Sequence, residues 1–97
     1  MKYINKKLTI ENVKVQNIAK KFGTPAYCYS YNQLKKNINN FKKSFKSFSP
    51  LICFAIKSNT NVNLISEIRK LGLGADVVSV GELMKALKAG IKPNKIV

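Results

Sequence analysis

Along the chain, apolar positions switch repeatedly between helical spacing and short extended runs. Residues 3–10 mix the two and suit a short strand or an irregular lead-in. Val15, Ile18, Ala19 and Phe22 then keep helical spacing, and Gly23 stops that helix, with Pro25 beyond it. Pro25-Ala26-Tyr27-Cys28-Tyr29 is short, aromatic and strand-like. Ser30, with Gln33 three residues on, has the form of a capping box and opens a second helix. Its apolar face is Leu34, Ile38, Phe41, Phe45 and Phe48, its polar face carries Lys35, Lys36, Lys42, Lys43 and Lys46, and Ser49-Pro50 ends it.

Residues 51–56 (Leu51-Ile52-Cys53-Phe54-Ala55-Ile56) are apolar throughout, as in a strand covered on both faces of a parallel sheet. Asparagines 59, 61 and 63 mark a polar turn, in which Ser58 and Asn59 read as turn residues. Val62, Leu64, Ile65, Ile68 and Leu71 form a further amphipathic stripe, closed by Gly72. Residues 75–78 make another short buried strand. Ser79 and Glu82 form a second capping box, and Leu83, Ala86 and Leu87 line the helix that follows. Gly90 and Pro93 end that helix, and Ile96-Val97 has the character of a strand beginning. Strands alternating with helices predict an α/β fold of βα units around a parallel sheet. A closed (β/α)8 barrel needs about 250 residues, so 97 residues supply only its first units. The expectation is an incomplete N-terminal part of such a TIM barrel, with residues 1–29 as a lead-in segment and residues 30–97 as the first, truncated βα units.

Composition narrows the function. Apolar residues make up 45% of the chain, which argues for a folded domain. No apolar run approaches the ~20 residues of a membrane span, and no apolar core follows the N-terminal charges as in a secretory signal. Cys28 and Cys53 sit apart in apolar stretches and read as buried, reduced thiols, which points to the cytoplasm and away from a disulfide or metal framework. The charge is lopsided, with 18 basic against 4 acidic residues and a net charge of +14. A small basic nucleic-acid-binding module is therefore one reading. Against it, the cations are spread over every segment, only Arg69 offers a forked guanidinium, and no aromatic stacking motif accompanies them.

Chemistry concentrates at two strand ends. Lys57 follows the apolar run 51–56, and Asp76 ends the next run nineteen residues later. In a parallel αβ barrel the C-terminal ends of strands face the active site. A half-buried lysine there can be kept nucleophilic. Ala55, two residues before Lys57, falls on the same face by strand alternation and leaves room beside it. Spacing alone leaves two readings of Lys57 and Asp76 open: an ordinary salt bridge, or a lysine nucleophile with a nearby carboxylate.

Residues 24–97 resemble the opening of the diaminopimelate decarboxylase family, pyridoxal-phosphate enzymes with an alanine-racemase-like barrel. The resemblance rests on Thr24-Pro25-Ala26-Tyr27-Cys28-Tyr29-Ser30, on Phe54-Ala55-Ile56-Lys57-Ser58-Asn59, and above all on Gly72-Leu73-Gly74-Ala75-Asp76-Val77-Val78-Ser79 with Gly81-Glu82-Leu83. Ala89-Gly90-Ile91, Pro93 and Lys95-Ile96-Val97 continue in register. An aspartate is more usual where Ser30 stands, and a tyrosine where Phe54 stands.

The resemblance implies a pyridoxal 5'-phosphate-binding barrel whose C-terminal β-domain is missing here. It implies that Lys57 holds the cofactor covalently and is the catalytic lysine. Asp76 and Ala55 would lie beside the cofactor. Glu82 matches a glutamate near the site in related decarboxylases, although the capping box explains it equally well. The implied reaction converts meso-diaminopimelate to L-lysine and CO2. Related decarboxylases of ornithine, arginine or carboxynorspermidine are the alternative. The implied partners are a small amino-acid substrate and, at full length, a second copy in a homodimer, with no membrane, no nucleic acid and no metal. The family's ring-stacking histidine, phosphate loop and β-domain cysteine and tyrosine match nothing in this chain, so the 97 residues alone are expected to be inactive.

Overall fold

A small antiparallel meander opens the chain: β1 (Lys2–Ile4), β2 (Lys7–Ile10) and β3 (Val13–Lys14) pair in that order. Asn5 and Lys6, both at positive φ (48° and 60°), form the two-residue turn that joins β1 to β2. Thr9 is buried, and its hydroxyl donates to the Lys2 carbonyl at 2.9 Å. This computed structural model describes residues 1–45 and 47–97, which group into two units, Met1–Lys42 and Lys43–Val97.

Within the first unit, α1 (Val15–Phe22) follows β3 and ends at Gly23, whose φ of +81° takes the chain out of the helix. Residues 25–29 are not a strand: they lie outside regular structure, with Tyr27, Cys28 and Tyr29 exposed. Aromatic β-propensity expresses packing against a neighbouring strand, and no described strand pairs with this segment.

Helix α2 (Tyr31–Lys43) begins as expected, with Ser30 Oγ accepting the Gln33 N–H at 3.1 Å. The other arm of the box is supplied from elsewhere. Gln33 turns its amide to Asn37, whereas Glu11 accepts the Ser30 hydroxyl at 2.7 Å and the Asn32 N–H at 2.8 Å. Those bonds, the Asn32 backbone first and then Ser30, hold the Glu11 carboxyl below its ordinary range. The helix ends at Lys43, earlier than Ser49-Pro50. Leu34 and Ile38 are half-buried, Phe41, Phe45 and Phe48 are exposed, and Lys46 lies outside the described residues.

The second unit carries the parallel pairing. Strands β4 (Cys53–Ala55) and β5 (Gly74–Asp76) pair Cys53 with Gly74, Phe54 with Ala75 and Ala55 with Asp76. Helix α3 (Val62–Lys70) is the crossover between them, and α4 (Val80–Lys88) follows β5. Ile96 bridges Ala75 in parallel, and the bonds Val97 N to Ala75 O and Val77 N to Val97 O, both 2.9 Å, add the start of a third strand.

Both helices close with Schellman motifs. Gly72 (φ +88°) and Gly90 (φ +85°) take the left-handed turn. Leu73 N then reaches Ile68 O at 3.4 Å, and Ile91 N reaches Ala86 O at 3.1 Å. These closures fold Leu73 and Ile91 inward. The core of the unit is Ile56, Ile65, Ala75, Ala86, Ala89 and Ile91, with Phe54, Val62, Val77 and Ile96 packed around it. Ile56 and Ile65 are fully buried, each contributing about 1.5–3 kcal/mol of apolar transfer. No helix among the described residues is long and apolar enough to cross a membrane.

Candidate active site

The site is built where β4 and β5 end together. Their register sets Ala55 directly opposite Asp76. Immediately after Ala55 the backbone leaves the strand, and Ile56–Ser58 form a 3-10 turn. Ile56 takes the core position while Lys57 and Ser58 face solvent. The strand is therefore shorter than the apolar run 51–56, and the alternation that put Ala55 and Lys57 on one face stops at Ala55. The lysine is exposed here, not half-buried, because the turn gives its inward position to Ile56.

One side chain of the turn and one backbone N–H after it hold this turn. Ser58 Oγ donates to the Ala55 carbonyl at 2.7 Å, and Asn59 N donates to the Ile56 carbonyl at 3.0 Å. Asn59 Oδ1 accepts the Asn61 N–H at 3.0 Å. Asn61 caps α3, accepting from Asn63 N at 2.9 Å and Leu64 N at 3.2 Å. Lys57 thus projects from a short loop whose backbone is tied at both ends.

The salt-bridge reading of Lys57 and Asp76 is not realised. No ion pair within 4.0 Å forms between them, and among the described residues the one such pair is Lys70 with Glu67 at 2.7 Å. Asp76 is half-buried, and its carboxylate forms no ion pair among the described residues. Its charge is felt at Cys53: burial first, and then Asp76, push that thiol above its ordinary range. Cys28 and Cys53 are both free thiols, one exposed and the other half-buried, so the expectation of two buried cysteines does not hold for Cys28.

Glu82 sits in the first turn of α4. Ser79 Oγ accepts its N–H at 3.2 Å, as the capping box requires. Its carboxylate does not return to Ser79 but accepts the Val78 N–H at 3.0 Å. Glu82 therefore ties down the loop that leaves Asp76.

Gly74, read in the sequence only as part of a motif, has a packing role beside the site. A Cβ there would lie 2.2 Å from the Lys95 carbonyl oxygen and 3.0 Å from Cys53 Sγ, so only glycine lets the chain approach β5 this closely. A glycine inside a strand is the sequence signal for such an approach.

Successive βα units around a parallel strand pair define an α/β domain, with Lys57 and Asp76 at adjacent C-terminal strand ends. The family model described as "Pyridoxal-dependent decarboxylase, pyridoxal binding domain" matches residues 31–97, and the chain belongs to that family. The diaminopimelate decarboxylase of Aquifex aeolicus is 44% identical over all 97 residues, which cover 23% of that protein. That of Helicobacter pylori strain J99 is 49% identical over 76 residues, or 78% of this chain and 19% of the relative. Among solved structures, one from Aquifex aeolicus superposes with a TM-score of 0.91 at 44% identity, covering 98% of this chain and 23% of that one. A Helicobacter pylori diaminopimelate decarboxylase complexed with L-lysine superposes with a TM-score of 0.79 at 41% identity, covering 86% of this chain and 21% of that one. The chain thus spans about a fifth of the length of the relatives it matches.

Proposed function

We propose that this chain is the cofactor-anchoring part of a decarboxylase that converts meso-diaminopimelate to L-lysine and CO2. The observation that carries the reading is the lysine amine at the C-terminal end of β4. Lys57 is exposed, has no ion pair among the described residues, and stands on a side-chain-braced turn beside the end of β5. An amine meant to bond a carbonyl must be reachable and not committed to a carboxylate. The small Ala55 opposite Asp76 leaves space beside it, and Asp76 brings a carboxylate that forms no ion pair among the described residues. These residues fit pyridoxal phosphate, which would be held through Lys57 Nζ with Asp76 and Ala55 beside it. When bound, that group supplies the electron sink for the pair left on the α-carbon after CO2 departs.

The chain's own residues have simpler tasks. Lys57 presents the amine and can hold or release a proton at Nζ. Asp76 sets the electrostatic potential beside it. Glu82 serves this site indirectly, by holding the Val78 N–H and so the loop after Asp76. Ser58 and Asn59 fix the turn. In this reading the chain is the opening of a (β/α)8 barrel completed by later βα units and a C-terminal β-domain, in a cytoplasmic homodimer.

The test uses the protein expressed from the full reading frame. Borohydride reduction followed by peptide mass spectrometry should place a pyridoxyl group on Lys57, and Lys57→Ala should lower turnover by about a thousandfold or more. Recovery of the cofactor on another lysine would overturn the assignment. Turnover of ornithine or arginine in preference to meso-diaminopimelate would move the protein to a related decarboxylase.

A further inference from the structure

Three cations line one small cleft in the second unit, at the end of β5 opposite to Asp76. Arg69 comes from the last turn of α3, Lys92 and Lys95 from the segment after α4, and Leu73, Gly90 and Ile91 complete a cavity of about 170 Å³. Leu73 precedes β5 and Asp76 ends it, so the cleft and the lysine site are separated by the length of the strand, about 10 Å at 3.3 Å per residue.

Nothing among the described residues neutralises this charge. Of the four acidic residues, Glu67 pairs with Lys70, Glu11 caps α2, Glu82 holds Val78 N–H, and Asp76 lies at the far end of the strand. The helix-end carbonyls that often receive cations are also taken. Ile68 O and Arg69 O accept from Leu73 and Gly72, and Ala86 O and Leu87 O accept from Ile91 and Gly90.

Arg69 is seated by the fold. A Cβ built on Gly90 would stand 3.3 Å from its Nε and 3.4 Å from its Cδ, so the side chain rests against the bare glycine. A forked guanidinium with two lysines in the same lining, and no carboxylate among the lining residues, matches a compact multivalent oxyanion. Such an anion would relieve the mutual repulsion of the three cations.

We propose that the Arg69–Lys92–Lys95 cleft binds a small phosphate-bearing anion, at a site separate from the strand-end lysine. The cleft accounts for three positive charges that neither the helix caps nor the lysine site uses.

Pyrophosphate titrated calorimetrically into the full-length protein at low ionic strength is the test. One saturable site is expected. Arg69→Gln should weaken binding about tenfold or more, the loss of one charge-assisted contact. The pair Lys92→Gln and Lys95→Gln should do the same, which keeps the test decisive if Arg69→Gln fails to fold. Lys35→Gln, an equal loss of charge outside the cleft, should leave the affinity unchanged. Lys57→Ala should also bind normally. Absence of saturable binding, or equal weakening by Lys35→Gln, overturns the proposal. Loss of binding in Lys57→Ala alone overturns it too, by placing the anion at the strand-end site, and leaves the decarboxylase reading intact.

Discussion

Replacing Gly74 by alanine tests how the strand ends are held together. The added Cβ would stand 2.2 Å from the Lys95 carbonyl oxygen, 3.2 Å from the carbonyl carbon and 3.0 Å from Cys53 Sγ. The oxygen is backbone and cannot swing aside, so the chain at Lys95 must withdraw by about 1 Å to restore ordinary contact. That movement strains the two 2.9 Å bonds that tie Val97 to Ala75 and to Val77. Overpacking costs about 1–3 kcal/mol, and each strained backbone bond adds about 0.5–1.5 kcal/mol. The expected loss is about 3 kcal/mol, a large share of the 5–15 kcal/mol that holds a typical domain. Amide hydrogen exchange by NMR reads it locally: Val77 and Val97 should exchange roughly a hundredfold faster.

Two further glycines calibrate the result. Gly90→Ala meets only the flexible Arg69 side chain at 3.3 Å but must hold φ near +85°, a cost of about 1–2 kcal/mol. Gly81→Ala lies in α4 with nothing nearer than Ser79 Oγ at 3.9 Å, and should stabilise by up to about 1 kcal/mol. Wild-type exchange at Val77 and Val97 in Gly74→Ala, or an inverted order of the three variants, refutes the close-approach account.

Other outcomes follow from the caps. Because the folded-state pKa of Glu11 is depressed, its stabilisation is present above the ordinary value of 4.5 and is lost as pH falls through the lower folded value; NMR titration of Asn32 should show this acid transition, and Glu11→Gln should abolish it. Asn61→Ala removes the acceptor for Asn63 N and Leu64 N and should cost about 1 kcal/mol in thermal unfolding, with Asn61→Asp nearly neutral. Glu82→Gln keeps an oxygen for Val78 N–H and should preserve stability, whereas Glu82→Ala should lose about 1–2 kcal/mol. If Glu82→Gln keeps its stability but loses cofactor content, the carboxylate acts on the site directly and not through the loop.

Features carried by neighbours in sequence are the ones that sequence alone determined. The stripe of α3, the Ser79 cap and the glycine closures at 72 and 90 all arise within one or two turns of backbone, where side chain and main chain meet whatever the rest of the chain does; the α4 stripe holds at Leu83 and Ala86 but leaves Leu87 exposed. The placing of Lys57 and Asp76 after successive apolar runs follows from the same local rhythm. Only the tertiary structure decided how those ends are used. The register that sets Ala55 against Asp76 depends on pairing across a whole crossover helix. The turn that buries Ile56 and exposes Lys57 depends on the core that Ile56 enters. Glu11 reaches Ser30 and Asn32 across 19 and 21 residues, and Gly74 matters because of a carbonyl 21 positions away. Sequence periodicity records what a residue meets along its own helix or strand; it carries no record of which distant backbone will be folded against it.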